Sequence, residues 1–192
     1  FSARSVGLPG IPALGVCFGN VLTVLSSKEK KAVGAHSWGR TLWHEFAHVA
    51  TLSVTGNRIS RWFSEGLSVY EEPRGRKTWQ REYDAEIMTL MARGLLLPIA
   101  RLDEGFTKPK YPNQVMMSYY QAGMICEFMD ARWGFSKIKE LLASFAKGND
   151  SAAGVRLVFG MEPEAFDALF LDFLEKRYAG YAWLPPPGLE DR

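Results

Sequence analysis

Cysteine is scarce in this sequence. The 192-residue chain contains two cysteines, Cys17 and Cys126, which are far apart and lie in segments with the patterns of a strand and of a buried helix. Small secreted folds that depend on disulfides have more cysteines at closer spacing. One disulfide is compatible with the sequence but not required by it. We exclude a disulfide framework and interpret both residues as free buried thiols.

An excess of charge of one sign is also missing. Lysine and arginine number 23 against 21 acidic residues, which gives a net charge of +2. Basic residues cluster only at 28–31 and 74–77, and we interpret both clusters as solvated loops. Nucleic-acid-binding domains carry a strongly basic surface. The charge pattern therefore predicts no binding to nucleic acid.

Long hydrophobic runs are absent too. The longest apolar-looking stretch, from Val6 to Leu25, is interrupted repeatedly by glycine and proline. This pattern excludes a membrane-spanning helix and a signal peptide there, and without a targeting signal the compartment is left open. The first residue is not methionine and 185–192 form a proline-rich tail, as expected of a piece cut from a longer protein.

Histidine is rare, but two of the three histidines fall within one stretch, TLWHEFAHVAT. Apolar spacing and the lack of proline from Trp38 to Leu52 predict a helix, so that His44 and His48 project from one face. Two imidazoles on one face can hold a metal ion. Glu45 lies about 100° further round the helix. It would stand beside the metal, where it can take a proton from water.

A catalytic zinc site needs a third protein ligand. The turn signal at 55–57 ends the first helix, and a second helical pattern begins near Ser60 and ends at Pro73. A returning helix can bring Glu65 alongside the two histidines. Another type of zinc protease would have glycine and histidine where this chain has Thr51 and Val54. The carboxylate of Glu65 is therefore the expected third ligand.

Two further residues of the second helix lie near the face of Glu65. Ser68 and Glu72 follow it by three and seven residues. Either can accept a hydrogen bond from the outer nitrogen of a metal-bound imidazole and so orient the ring. A solvated helix end is the alternative interpretation of Glu72.

The segments His44-Glu45-x-x-His48 and Trp62-x-x-Glu65-Gly66 resemble the peptidase MA-like family of gluzincin metallopeptidases, which is distantly similar to thermolysin and aminopeptidase N. The resemblance implies one zinc ion per chain on the two histidines and Glu65, with Glu45 as the general base.

A second match lies in the sequence SYYQAG at 118–123. It resembles a Tyr-x-x-Gly segment whose tyrosine stabilises the oxyanion in aminopeptidase-like gluzincins. The resemblance implies this role for Tyr120. The neighbouring Tyr119 is an alternative donor.

We expect an α+β fold that is mainly α, with a small N-terminal β-sheet packed on the zinc-binding helix and a helical C-terminal part. The chain would form a single domain over 1–184, divided into 1–72 and 73–184. The first helix is expected to pack into the core through Leu42, Phe46, Val49 and Leu52. The resemblance implies that Val21, Leu22, Thr23 and Val24 form an edge strand that pairs with the substrate backbone. An ordinary core strand is the alternative.

The expected function is zinc-dependent hydrolysis of peptide bonds in a peptide or protein substrate. An acidic motif that would recognise a free amine is not apparent upstream of His44, which favours an endopeptidase. A peptide-binding or scaffold module with little hydrolytic activity is one alternative, and a zinc hydrolase for small molecules is another. Paired helices of this kind are also compatible with helical-repeat domains elsewhere in a longer parent protein.

Overall fold

The computed structural model describes residues 15–18, 21–24 and 37–181. Strands β1 (Gly15–Phe18) and β2 (Val21–Val24) form an antiparallel hairpin in which Gly15 lies opposite Val24. The helices are α1 (Trp38–Thr55), α2 (Arg61–Gly75), α3 (Asp84–Ala92), α4 (Glu104–Thr107), α5 (Gln114–Trp133), α6 (Phe135–Ala146), α7 (Ser151–Phe159) and α8 (Pro163–Tyr178), with 3-10 turns at Lys77–Trp79 and Ile99–Arg101.

The predicted α+β class, with a small N-terminal β-sheet packed on the zinc-binding helix, is wrong. The described residues are mainly helical, and their β-structure is limited to the β1–β2 hairpin. Two strands of four residues are too short to form a layer that shares the core with the helices. The core is instead built between helices.

The ends of α1 are set by local sequence. Ser37 caps the first turn, where its hydroxyl oxygen accepts a hydrogen bond from the Arg40 N–H at 3.3 Å. Gly56 ends the helix in the left-handed conformation, with φ of 57°. The Asn57 N–H then donates to the Leu52 carbonyl oxygen at 2.9 Å. This tight reversal sends α2 back along α1, as the turn signal predicts.

The predicted end of α2 at Pro73 is wrong. Pro73 lies inside the helix, which continues to Gly75. The Arg76 N–H still donates to the Glu72 carbonyl oxygen at 3.1 Å. Glu72 is therefore held in regular helix and not at a frayed end.

The face of α1 that packs against α2 is polar. Its buried residues are Thr41, His44, Glu45, Thr51 and Thr55. The predicted apolar core face is wrong, since Phe46 is 55% exposed. The other three residues of that predicted face are only half-buried.

The core lies between α2, α5 and the C-terminal helices. Phe128 of α5 is fully buried, and its ring lies 5.2 to 5.7 Å from the rings of four aromatic residues of α5 and α8. These four are Trp133, Phe166, Phe170 and Phe173. Among the described helices, none combines the length and apolarity that crossing a membrane requires.

Helices α2 and α5 cross closely at two glycines. A Cβ atom on Gly66 would lie 2.7 Å from the Ala122 carbonyl oxygen, and one on Gly123 would lie 2.6 Å from Cγ1 of Val69. Both distances are below normal contact. The absence of side chains here lets the two backbones approach.

Substitution of Gly66 by alanine should destabilise the protein. The added methyl group meets backbone atoms of Ala122 that cannot rotate away, so α2 and α5 must separate. We expect a loss of about 1–3 kcal/mol in the free energy of unfolding, measured by urea denaturation. Gly180→Ala is the control, since nothing lies within 4 Å of the corresponding position. Equal stability of the two variants would show that the crossing is not tight.

Candidate metal centre

Three side chains converge between α1 and α2. His44 Nε2 lies 3.2 Å from Glu65 Oε2, and His48 Nε2 lies 3.1 Å from the same oxygen. One ligand atom from each residue lies within 4.8 Å of those from the other two. Two imidazole nitrogens and a carboxylate oxygen form a donor set that suits a transition metal ion. The structure thus brings together the three ligands predicted from the sequence.

The geometry follows from the helix pair. The rings of His44 and His48 are one turn apart on α1, with centroids 4.9 Å apart. The reversal at Gly56 places the first turns of α2 alongside these rings. Glu65 therefore meets both histidines from a facing helix, although it is separated from His44 by 21 residues in the sequence.

Proximity of opposite charges dominates the electrostatics of the cluster. Burial lowers the pKa of His44, but hydrogen bonds to Glu65 and Glu72 more than offset this and raise it from 6.5 to about 9. Burial raises the pKa of Glu65, while the hydrogen bonds from the two histidines hold it well below its usual range. In the metal-free protein, His44 thus carries a proton at neutral pH that a metal ion would displace.

The outer nitrogen of His44 has a carboxylate partner. Its Nδ1 donates to Glu72 Oε1 at 2.9 Å. Glu72 is in turn held by Arg81, whose Nε lies 2.9 Å from Oε2 and whose Nη2 lies 2.6 Å from Oε1. Glu72 is only 1% exposed. The alternative interpretation of Glu72 as a solvated helix end is therefore wrong, and its contact is the one expected of an orienting carboxylate.

The outer nitrogen of His48 faces hydroxyl groups. Its Nδ1 lies 2.8 Å from Ser64 Oγ and 3.3 Å from Ser68 Oγ. Thr51 Oγ1 lies 3.1 Å from Ser64 Oγ and extends this network to α1. Ser68 was expected near the site, whereas the sequence pattern did not single out Ser64 or Thr51.

Glu45 lies beside the cluster and is not one of the three candidate ligands. It is 7% exposed, and burial raises the pKa of its carboxyl group, while the nearby His44 and His48 oppose that rise. A buried carboxyl group next to a metal site, with its pKa raised, is suited to accept and return a proton.

The two tyrosines predicted as alternatives occupy different environments. Tyr119 OH donates to Glu65 Oε1 at 3.1 Å, and its ring centroid lies 6.2 Å from that of His44. Tyr120 OH donates to Asp84 Oδ1 at 2.6 Å, and Tyr178 OH donates to the same oxygen. Consecutive residues of a helix point about 100° apart. The Tyr119 hydroxyl group thus lies at the cluster, whereas the Tyr120 hydroxyl group contacts Asp84.

Arg81 has no counterpart among the residues predicted from the sequence. It follows Glu72 by nine residues and lies in an irregular segment between a 3-10 turn and α3. Helical spacing therefore could not place it. The only available signal was the need of a buried carboxylate for a cation.

Comparison with known proteins agrees with this site. The sequence profile of the peptidase MA superfamily matches residues 13–176, which include α1, α2 and α5. No curated protein and no solved structure matches the chain significantly. The family match covers most of the chain and contains His44, His48 and Glu65. The chain belongs to the peptidase MA superfamily.

Proposed function

We propose that this protein is a zinc-dependent peptidase that hydrolyses peptide bonds. The observation that carries the proposal is the convergence of His44 Nε2 and His48 Nε2 on Glu65 Oε2, with buried Glu45 beside them. Membership of the peptidase MA superfamily agrees with it. Nitrogen and carboxylate ligands in this combination are typical of catalytic zinc.

His44, His48 and Glu65 would hold the ion. When bound, zinc polarises a carbonyl group and lowers the pKa of water to near 7. Glu45 would take the proton from the attacking water and pass it to the leaving amine nitrogen. The raised pKa of its carboxyl group supports this return of the proton.

Tyr119 is the better-placed donor to the oxyanion. Burial, followed by the nearby Glu65 charge, raises the pKa of its hydroxyl group. The hydroxyl group therefore stays protonated at neutral pH and can donate a hydrogen bond. A donor prepared in advance for the charge that develops on the substrate oxygen stabilises the transition state.

Strand β2 is the proposed place for extended substrate. It pairs with β1, and within the described residues its opposite edge has no strand partner. Backbone groups of Val21 to Val24 on that edge can bind a peptide without reading its side chains. Such binding along the peptide supports an endopeptidase, with peptides or proteins as substrates.

The proposal is tested by zinc content and peptide cleavage in the same preparations. We expect about one zinc ion per wild-type chain, cleavage of a mixed peptide library, and loss of cleavage with a chelator. Glu65→Ala should lose zinc and activity together. Glu45→Gln should keep its zinc but lose at least ~100-fold in rate. A wild-type protein with zinc and no cleavage would instead indicate a binding module, and cleavage by Glu45→Gln at the wild-type rate would contradict the role of the base.

The adjacent tyrosines allow a matched comparison. Tyr119→Phe should lower kcat by ~100- to 1,000-fold because it removes one hydrogen bond to the oxyanion. Zinc content should not change. Tyr120→Phe also removes a hydroxyl group from α5, but this hydroxyl group contacts Asp84 and not the cluster. The activity of this variant should therefore remain close to wild type. The reverse order of the two kcat values would overturn the choice of Tyr119.

Zinc affinity should depend on pH. A histidine ligand must be neutral, and the pKa of His44 is raised to about 9 in the metal-free protein. Below that pH zinc displaces a proton, so the apparent affinity should rise about tenfold per pH unit and level off near pH 9. Competition with a chromophoric chelator measures this. Glu72→Gln removes one carboxylate that raises the pKa, so its affinity should level off at a lower pH, and two flat profiles would contradict the assignment.

A further inference from the structure

Arg81 forms a two-bond ion pair with a carboxylate that contacts a candidate metal ligand. Its Nε and Nη2 atoms lie 2.9 and 2.6 Å from the two oxygens of Glu72. The Glu72 oxygen nearer to Nη2 also accepts from His44 Nδ1 at 2.9 Å. Arg81, Glu72 and His44 thus form a continuous chain of contacts from the segment before α3 to the metal centre.

The same guanidinium group also packs against the Tyr119 ring. Its central carbon lies 5.7 Å from the centroid of the Tyr119 ring, within cation–π distance. The hydroxyl group of that ring donates to Glu65 Oε1 at 3.1 Å. Arg81 therefore contacts two residues, Glu72 and Tyr119, each of which contacts a different candidate ligand, His44 or Glu65.

The charges around Glu72 make Arg81 necessary once a metal is bound. Among the described residues, the cationic side chains within ion-pair distance of Glu72 are His44 and Arg81. A histidine that binds a metal ion does so in its neutral form. The positive charge facing buried Glu72 then comes from Arg81, and a buried carboxylate without a partner is strongly unfavourable.

We propose that Arg81 is a positioning residue of the metal centre. It holds Glu72 in the place where it orients the His44 ring, and it packs over the Tyr119 ring. Arg81 acts through these two residues and contacts no ligand atom itself. The inference rests on the proposed metal site and extends it to a residue outside α1, α2 and α5.

The geometry requires arginine and not merely a cation. A guanidinium group offers two parallel N–H donors to a carboxylate and a flat face to an aromatic ring. A lysine would keep the charge but supply neither the paired donors nor the flat face. Arg81→Lys should therefore only partly replace Arg81.

The test compares zinc affinity in three variants at one pH. Arg81→Met should bind zinc ~10- to 100-fold more weakly than wild type, as is typical when an outer partner of a ligand is lost. Arg81→Lys should fall between the two. Arg177→Met is the control, because Arg177 also pairs with a glutamate, Glu127, and lies 5.9 Å from the centroid of a tyrosine ring, Tyr178, while neither partner belongs to the metal cluster. Its affinity should equal that of wild type.

Several outcomes would overturn the inference. These are wild-type zinc affinity in Arg81→Met, equal weakening in Arg177→Met, or full replacement by lysine. If Arg81→Met does not fold, Arg81→Lys decides alone, since wild-type affinity in that variant rejects the need for paired donors. A wild-type protein that binds no zinc would overturn the proposed function and this inference together. A wild-type protein that binds zinc and cleaves peptides while Arg81→Met matches its affinity would overturn only the inference.

Discussion

The close crossing of α2 and α5 is the constraint on which the rest of the site depends. Gly66 and Gly123 allow the two backbones to approach, and Gly66 is the residue after Glu65. At this separation the Tyr119 hydroxyl group of α5 reaches Glu65 at 3.1 Å. Helices with larger side chains at the crossing would stand further apart and lose that contact. Core packing and site geometry are thus determined by the same few atoms.

The buried face of α1 is polar, so the site replaces apolar packing between α1 and α2. Most amphipathic helices bury their apolar face, but α1 buries His44, Glu45 and three threonines and exposes Phe46. Each buried polar group then requires a partner. Glu65 and Glu72 serve the histidines, and Ser64 serves both His48 and Thr51. The layer between α1 and α2 is stabilised by hydrogen bonds and ion pairs where a core helix would use apolar contact.

The predictions that succeeded depended on short spacings within one or two helices. The interval from His44 to His48, the turn at Gly56 and the position of Glu65 are all local features, and they gave the three converging side chains. The fold class failed because a strand pattern does not show how much core its strands will cover.

The features that the sequence pattern could not supply have a different physical origin. Tyr119 and Tyr120 are adjacent and chemically identical, so only the orientation of α5 against α2 distinguishes them, and that orientation is a property of the packed fold. Arg81 belongs to no periodic pattern and meets Glu72 through a loop. Phe46 was assigned to the core because apolar periodicity cannot show that the polar face of the same helix is the one that is buried.

Trp43 gives the site a spectroscopic property. Its indole N–H donates to the Glu71 carbonyl oxygen at 3.0 Å, one residue from the His44–Glu72 contact on both helices. Trp43 is 40% exposed, so its emission is sensitive both to solvent and to this hydrogen bond. Any change in the spacing of α1 and α2 near the histidines would alter that bond, and with it the contribution of Trp43 to the emission that it shares with five other tryptophans.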